Sequence, residues 1–462
     1  MASAAKRVVV LGLDCAPPQL VFERFADDLE NIQTLMAGGQ WGELQSVVPA
    51  ITVPAWACAM TSRDPGQLGV YGFRNRSDHS YDGMTMANSA SIRQEAVWDI
   101  ISRAGKQVIV LAVPPSFPPK AVNGSMVGCF LTPSTESEYT YPAALKAEIA
   151  ATVGDYSVDV ENFRTDEKDR ILAQIHDMTT RRFELFRHLL KTRTWDFAMM
   201  VEIGVDRMHH GFWQYFDERH HRYEPGNEYE HAIRDYYRVI DREVGAVLRE
   251  LDEDTAVIIM SDHGAKLMQG GICINEWLIQ EGYLTLKNRP AEATRFSMDA
   301  VDWSRTKVWG EGGYYGRVFL NVQGREPQGI VLPDEQTALK DELTAKLTAI
   351  PDENGNDIGT RVFAPEKIYR ECRNVPPDLL VYFGNLDWRS VGTVGSGKIY
   401  TYENDTGPDD ANHAEEGILI VRAPGLEAGH QLTGSQLLDI GPTVLHLMGE
   451  PIPSQMIGRV LI

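Results

Sequence analysis

The sequence predicts an α/β fold with a mostly parallel central sheet. Two observations support this prediction. Short apolar runs rich in β-branched residues alternate with longer amphipathic segments, and the short runs are apolar throughout, which is typical of strands covered on both faces. The length of 462 residues suits one large domain with insertions, or two or three modules.

The predicted elements follow one another along the whole chain. Six apolar runs are predicted as strands: residues 8–13, 108–113, 197–201, 256–260, 378–383 and 417–421. Three segments with helical spacing of apolar residues are predicted as helices: 166–193, 229–251 and 335–348. Two stretches are predicted as additions to the core: the polar residues 132–165, and residues 285–370, which contain several glycines and prolines and are predicted to form a cap or insert.

The composition excludes some classes of partner. Hydrophobic residues make up 43% of the chain, enough for a sizeable core, and the formal net charge is -21. That charge argues against a nucleic acid polymer or an anionic membrane as partner, because both need a basic surface. A small anionic substrate remains compatible, since bound cations can reverse the local field.

Location is predicted from the apolar runs and the cysteines. Asp14 ends the first apolar run, which is too short for a signal-peptide core, and no apolar stretch is long enough to span a bilayer. The five cysteines form no CxxC pair, which fits a reducing compartment and argues against a disulfide framework or a zinc ribbon. We therefore predict a cytoplasmic protein. The sequence makes no prediction of oligomeric state.

Acidic and histidine residues follow the predicted strands, where ligands bind in open α/β sheets. Asp14 directly follows the first strand, although an Asp there is also typical of a helix cap or turn. Asp206 and His210 follow the third strand; a helix beginning near Asp206 would put both on one face, where they can share a cation. The alternative is an N-cap acid with a surface histidine. His209 points elsewhere on that helix.

A second pair of candidates follows the fourth predicted strand. Asp262 and His263 precede Gly264, and a glycine permits a sharp turn that can direct both side chains into one site. The alternative is a polar turn between strand and helix. His413 lies just before the last predicted strand, and a single loop histidine matters only as a partner of the others.

Thr52 begins the segment Thr-Val-Pro-Ala-Trp. A threonine there is typical of a helix cap, and Pro54 suits the first turn of the helix that follows. The same geometry places the hydroxyl at a helix N-terminus, where backbone amides and the helix dipole favour an anion such as a phosphate oxygen.

In this order, the seven residues and their flanking motifs resemble the alkaline phosphatase superfamily. The resemblance covers nearly the whole chain and is strongest to the type I phosphodiesterase/nucleotide pyrophosphatase branch, in particular to its cytosolic phosphohydrolase/phosphomutase-like group. The motifs are Val-Val-Leu-Gly-Leu-Asp14, Thr52-Val-Pro-Ala-Trp, Asp64-Pro-Gly-Gln-Leu-Gly-Val-Tyr-Gly-Phe73, Ser261-Asp-His-Gly264, Asn275-Glu-Trp-Leu, Phe319-Leu-Asn-Val-Gln-Gly-Arg-Glu-Pro-Gln-Gly-Ile330 and His413-Ala-Glu-Glu-Gly-Ile-Leu-Ile.

The resemblance implies a fold and a metal centre. The fold is an alkaline-phosphatase-like three-layer sandwich, with a catalytic core of residues 1–284 and 371–462 and a cap, 285–370, that contributes to substrate selection. The centre holds two divalent cations, usually zinc, although manganese or iron also fit. The implied ligands of one cation are Asp206, His210 and His413; those of the other are Asp14, Asp262, His263 and Thr52.

The resemblance also implies a reaction. Two cations about 3.5–4 Å apart stabilise the entering and leaving oxygens of an in-line displacement, and metal coordination activates an alcohol as a nucleophile. Thr52 would attack the phosphorus of a small phosphate ester, most readily a phosphodiester, and form a phosphothreonine. A phosphomonoester or a phosphonate suits the same site.

The substrate contacts depart from the family pattern. Nucleotide pyrophosphatases have a phosphate-binding asparagine about twenty residues after the nucleophile, and here Phe73 takes its place, with Arg74 or Asn75 as substitutes. Ala55 offers no polar group beside the nucleophile. Arg317 and Lys266 are further candidates for phosphate contacts, or simply surface charges. Four aromatic residues of the insert either line a substrate pocket or pack the cap: Trp303, Trp309, Tyr314 and Tyr315.

Other functions are weighed against this one. A sulfatase needs an arginine after its Cys-x-Pro/Ala motif, which neither Cys15 nor Cys58 has, and a phosphoglycerate mutase relative would have serine in place of Thr52. A dinucleotide-binding oxidoreductase would have a GxGxxG motif after the first strand, and this chain has none there. The remaining alternative is a non-catalytic binding protein on the same fold, which should have lost ligands or nucleophile.

Overall fold

The computed structural model describes residues 5–462. Nine strands form the central sheet, in this spatial order: His430–Gln436, Gln40–Gln45, Glu416–Arg422, Thr255–Met260, Arg7–Leu13, Phe197–Glu202, Val108–Leu111, Gly124–Val127 and Thr140–Tyr141. Seven run in one direction, and only Glu416–Arg422 and Thr140–Tyr141 run against them. The prediction of a mostly parallel central sheet is confirmed.

Helices cover both faces of this sheet. Along the first strand, Val9 and Leu11 contribute to one hydrophobic core and Val8 and Val10 to the other, because successive side chains of a strand point to opposite faces. The predicted three-layer sandwich is thereby confirmed. The helices are Glu30–Ala37, Thr52–Thr61, Pro65–Leu68, Val97–Arg103, Leu145–Val153, Lys168–Thr192, Gly204–Phe216, Ala232–Leu248, Ile274–Gln280, Gln336–Thr348, Pro365–Ile368 and Ile440–Leu447. In the described part of the chain, none of them is both long and apolar enough to cross a membrane.

One predicted strand belongs to a different sheet. The run 378–383 forms the strand Leu379–Tyr382, but it lies in a four-stranded antiparallel sheet with Val308–Glu311, Gly316–Leu320 and Arg361–Phe363. Its apolar pattern indicates burial, and a strand is buried in this second sheet just as it would be in the central one. The pattern of one strand does not encode its neighbours, and so the assignment to the parallel sheet was wrong.

A third hydrophobic core surrounds the second sheet and draws on residues from Ile272 to Trp388. The division of the chain at residues 285 and 370 stays a prediction. Further short strands lie outside these two sheets. They pair as Arg74–Arg76 with Met84–Met86, Gly264–Leu267 with Ala411–Ala414, Gly270–Cys273 with Trp388–Val391 and Tyr400–Thr401, and Thr294–Arg295 with Thr393–Val394.

The register of the central strands determines where the site forms. Gly12 pairs with Val201 on one side and with Met260 on the other. The chain therefore leaves all three strands at the same edge of the sheet, and the polar residues that follow each strand meet there. Gly12 is needed at this point, because a Cβ atom on it would lie 2.4 Å from Cη2 of Trp56.

Candidate metal centre

The seven residues singled out in the sequence meet at this edge of the sheet, and all are buried. Six of them fall into two groups, in each of which the possible ligand atoms lie within 4.8 Å of one another. The first group contains Asp14, Asp262 and His263; the second contains Asp206, His210 and His413, together with Cys15. The Thr52 hydroxyl lies 3.3 Å from Nε2 of His263.

The first group is built by the ends of two neighbouring strands. His263 Nε2 lies 3.2 Å from Oδ2 of Asp262 and 3.8 Å from Oδ1 of Asp14. The indole N–H of Trp56 donates to the other Asp14 oxygen at 2.7 Å. Gly264 is required for close approach rather than for the sharp turn expected from the sequence: its Cβ would lie 2.2 Å from the carbonyl oxygen of Glu416.

The second group joins a helix to a short β-ribbon. Asp206 and His210 lie in the helix Gly204–Phe216, with Asp206 Oδ2 3.1 Å from Nε2 of His210. His413 lies in the strand Ala411–Ala414, and its Nε2 is 3.2 Å from that of His210. His209, one position before His210, packs against Tyr237 and does not reach the group.

All three histidines have the same arrangement around the imidazole ring. Nδ1 of His210 faces Asp409 Oδ1 at 2.7 Å, Nδ1 of His413 faces the Ala50 carbonyl at 2.9 Å, and Nδ1 of His263 faces the Gly264 carbonyl at 3.1 Å. A proton on each Nδ1 satisfies these acceptors and leaves the Nε2 lone pair directed into the site. This is the arrangement in which histidines ligate metal ions.

The electrostatics of the site favour a bound cation. Three carboxylates are buried side by side, and neither Asp14 Oδ1 nor Asp262 Oδ2 has a hydrogen-bond partner within the described structure. Burial and the charge of Asp206 raise the pKa of Asp14 well above its usual range, and burial and Asp14 do the same for Asp262. Buried charges without partners are costly, and a divalent cation removes that cost. The residues present therefore fit a metal centre.

The remaining protonation states follow from burial and neighbouring charges. Burial disfavours the charge of Asp206, but His210 and Arg207 outweigh it and lower its pKa well below the usual range. Burial lowers the pKa of His263 to about 4 and, together with His263, lowers that of His413 well below its usual value. For His210, Asp409 and Asp206 outweigh burial and raise the pKa to about 9.

Thr52 begins its helix rather than capping it. The cap position belongs to Ile51, and the Thr52 side chain makes no capping hydrogen bond. In the described structure the N–H groups of Thr52 and Val53 donate no hydrogen bond, so both remain available to an anion. Pro54 occupies the first turn, as expected from the sequence.

A cavity of about 440 Å³ opens beside the metal-binding residues. Three of the four predicted substrate contacts, Phe73, Arg74 and Arg317, line it. The structure does not bring Asn75 to the cavity, because its side chain closes a local turn through the Tyr71 N–H and the Gly72 carbonyl. Lys266 lies away from it, in an ion pair with Asp387.

The four aromatic residues of the insert divide between the two roles. Tyr314 and Tyr315 line the cavity, and the Tyr314 ring stacks on His413 with a centroid distance of 4.2 Å. Trp303 stacks on Tyr81 at 3.5 Å and meets Trp309 edge-on, so this pair packs in the third hydrophobic core.

Sequence reasoning missed four residues around the site. Asp409 accepts hydrogen bonds from His210, from Arg164 at 2.9 Å and from Arg389 at 3.0 Å, and it lies four residues before His413, the one signal that pointed to it. Cys15 was considered only as a sulfatase nucleophile, although it lies directly beside the second group. The two arginines come from distant segments with no motif of their own.

Comparisons with known proteins identify a family and structures of similar fold. Residues 8–409 match the family described as type I phosphodiesterase / nucleotide pyrophosphatase. The structure is similar to phosphonoacetate hydrolase from Sinorhizobium meliloti 1021 in complex with phosphonoformate, with a TM-score of 0.60, 16% identity, and coverage of 95% of this chain and 94% of that one. It is also similar to human ectonucleotide pyrophosphatase / phosphodiesterase 5, with a TM-score of 0.54, 13% identity, and coverage of 97% and 96%. A search of curated proteins finds no match.

Proposed function

Because the chain belongs to the type I phosphodiesterase / nucleotide pyrophosphatase family of metal-dependent phosphohydrolases, we propose that it hydrolyses a small phosphate ester, most readily a phosphodiester, with Thr52 as the nucleophile. One observation carries the proposal: three histidine Nε2 atoms and three buried carboxylates converge beside the Thr52 hydroxyl at a helix N-terminus. A binding protein without catalysis would have no need of this complete set.

In this proposal the site holds two divalent cations, with zinc the first candidate because of the mixed nitrogen and oxygen ligands. Asp206, His210 and His413 hold one; Asp14, Asp262, His263 and the Thr52 oxygen hold the other. When bound, the cations lower the pKa of the threonine alcohol and neutralise the charge that develops on the phosphoryl oxygens.

The side chains and backbone then act as follows. Thr52 Oγ1 forms a bond to phosphorus as the bond to the leaving-group oxygen breaks, which produces a phosphothreonine and an alcohol. Water next attacks the same phosphorus, and Thr52 regains its proton as the phosphate or phosphomonoester departs. The free N–H groups of Thr52 and Val53 bind a phosphoryl oxygen throughout. Since Tyr314 covers His413, it shields that side of the site from water.

A phosphonate is the second candidate substrate. The protein with the TM-score of 0.60 is a phosphonoacetate hydrolase, and in this chain Phe73 stands where nucleotide pyrophosphatases are expected to have a phosphate-binding asparagine. Activity on phosphonoacetate, measured beside the phosphate esters, decides between the two.

The first test measures metal content and hydrolysis on the same preparations. We expect about two divalent cations per chain, faster hydrolysis of bis(p-nitrophenyl) phosphate than of p-nitrophenyl phosphate, and loss of about 10³-fold or more in kcat for Thr52→Ala. Thr61→Ala is the matched control, because it removes a buried hydroxyl from the far end of the same helix. Full activity in Thr52→Ala, or a protein that binds no metal, would refute the proposal.

A further inference from the structure

The cavity adjoins the metal-binding residues through two of its lining residues. Ile51 lines the cavity and directly precedes Thr52, and Tyr314 lies between the cavity and the rings of His413 and His210. A volume of about 440 Å³ is within the range of small-molecule sites. A group bonded to the phosphorus at Thr52 therefore has this space to extend into.

The charge of the cavity is opposite to that of the chain. Its lining includes five arginines and only two carboxylates, Glu311 and Asp405, whereas the whole chain has a net charge of -21. The arginines are Arg74, Arg164, Arg295, Arg317 and Arg389. A cleft lined mainly by one sign of charge raises the local concentration of the opposite sign.

The innermost arginines are only partly neutralised. Arg317 pairs with Glu311 at 2.9 Å, but Arg164 and Arg389 share a single carboxylate, that of Asp409, which also accepts from His210. The Nε of Arg389 is buried and has no hydrogen-bond partner within the described residues. A buried guanidinium N–H without an acceptor is costly, and an anion in the cavity can supply one.

The side chains of the two outer arginines make no polar contact with the rest of the described structure. Arg74 lies in the hairpin formed with Met84–Met86, and Arg295 lies in the ribbon formed with Thr393–Val394. Both side chains are exposed, and neither has an ion-pair or hydrogen-bond partner in the part of the chain that the structure describes. Two unpaired cations from separate segments line the same cavity, beside the apolar surfaces of Phe73 and Phe296.

We propose that this cavity binds a second anionic group of the substrate, a carboxylate or a phosphate, carried on the part of the molecule bonded to the phosphoryl group that Thr52 attacks. This inference rests on the function proposed above and narrows its substrate class. Phe73 and Phe296 contact the linker, and the arginines bind the terminal anion. A neutral or cationic group at the end of that part of the substrate gains nothing from this lining.

The test compares 4-nitrophenyl phosphodiesters that differ only at the end of a second, four-carbon alkyl chain. The chain ends in a methyl, carboxylate, phosphate or trimethylammonium group. We expect kcat/KM to be about tenfold or more higher for one or both anionic ends than for the methyl end, as one charge-assisted contact provides, and lowest for the trimethylammonium end. The carboxylate and phosphate members distinguish the two sources of the anion. The preference should shrink as salt is added.

Variants locate the effect. Arg74→Gln and Arg295→Gln should each lower the ratio of kcat/KM between the anionic and methyl-ended esters several-fold, and the double variant should lower it further. Arg305→Gln is the matched control, an exposed arginine whose side chain is likewise unpaired among the described residues but lies outside the cavity. Its ratio should equal that of the wild type.

The outcomes separate this inference from the proposed function. Hydrolysis of all the esters with equal kcat/KM, or with a preference for the trimethylammonium end, overturns the anion site and leaves the reaction intact. If no ester is hydrolysed, the proposed function fails, and calorimetric binding of 3-carboxypropyl phosphate and butyl phosphate to Thr52→Ala tests the cavity alone. Tighter binding of the carboxylate-bearing compound, weakened by Arg74→Gln, supports the anion site, and equal binding refutes it.

Discussion

Asp409 is predicted to control metal affinity without touching the metal. Its Oδ1 accepts from Nδ1 of His210 at 2.7 Å, and its Oδ2 accepts from Arg164, Arg389 and the Tyr314 hydroxyl at 2.9, 3.0 and 3.2 Å. The substitution Asp409→Asn preserves the size of the side chain but gives it one acceptor and one donor. The two sides of the residue both need an acceptor, and so the amide cannot satisfy both.

Each orientation of the amide has a defined consequence. If its oxygen faces His210, the amide N–H₂ group points at two guanidinium groups, and the charge that held them is lost. If the oxygen faces the arginines, the N–H₂ group donates to Nδ1 of His210, which moves the ring proton to Nε2 and removes the lone pair directed into the site. We therefore expect metal affinity to fall about 10- to 100-fold, equivalent to roughly 1.4–2.7 kcal/mol.

The assay is a competition titration of the metal-free protein with zinc and a chromophoric chelator, with urea unfolding as a check on the fold. Asp410→Asn is the matched control: Asp410 is the neighbouring buried carboxylate, and its side chain makes no hydrogen bond to His210. Zinc affinity in Asp409→Asn within twofold of wild type would refute the argument, as would an equal loss in both variants.

Three further predictions concern stability. Gly12→Ala places a methyl group 2.4 Å from Trp56 and 2.8 Å from Val201, and should lower the free energy of unfolding by about 1–3 kcal/mol; urea unfolding should show almost no change in the control Gly38→Ala, whose new methyl has no neighbour closer than 3.5 Å. Arg182→Met removes the cation that pairs with the buried Glu202 at 3.3 Å and should cost about 3–5 kcal/mol. Burial already raises the pKa of Glu202, so in the folded state this carboxylate binds a proton at a pH where it is ionised in the unfolded state. The loss of stability should therefore be larger at about pH 8, where the buried group has to stay ionised or take up a proton, than at about pH 5. A loss independent of pH would contradict the assignment. Chelation of the metal should lower Tm, because Asp14, Asp206 and Asp262 then lie together without a cation. If the metal had been present at 100 times its Kd, the loss of stability should be about 2.7 kcal/mol. Chelator already saturated with zinc should have no effect, and an equal Tm with both would show that no stabilising metal was bound.

Much of the core could be predicted from local sequence pattern. The apolar runs at 8–13, 197–201 and 256–260 became central strands, because a strand buried on both faces needs apolar side chains at every position. The polar residues directly after these runs were predicted to be functional because parallel strands end at a common edge. The run at 378–383 shows the limit of this reasoning, since the same pattern was satisfied by another sheet.

The surroundings of the site could not be predicted in this way. Arg164, Arg295 and Arg389 are far apart in sequence and belong to no periodic pattern, and nothing local distinguishes them from surface arginines. Asn75 was predicted as a substrate contact because it is polar and close to Phe73 in sequence, but the structure uses its amide to close a turn.

Local sequence was enough to predict the α/β class, the strands that reach the edge of the sheet, and the set of acidic, histidine and threonine residues at that edge, because each of these depends on a few consecutive residues. The three-dimensional packing alone shows which Nδ1 acceptor orients each histidine, which carboxylate oxygens lack a partner, and how five arginines line one cavity. Most of those features depend on contacts between segments far apart in sequence, such as Nδ1 of His413 with the Ala50 carbonyl, although the acceptor for His263 is the next residue. Their physical cause is the packing of the whole chain, which no local pattern encodes.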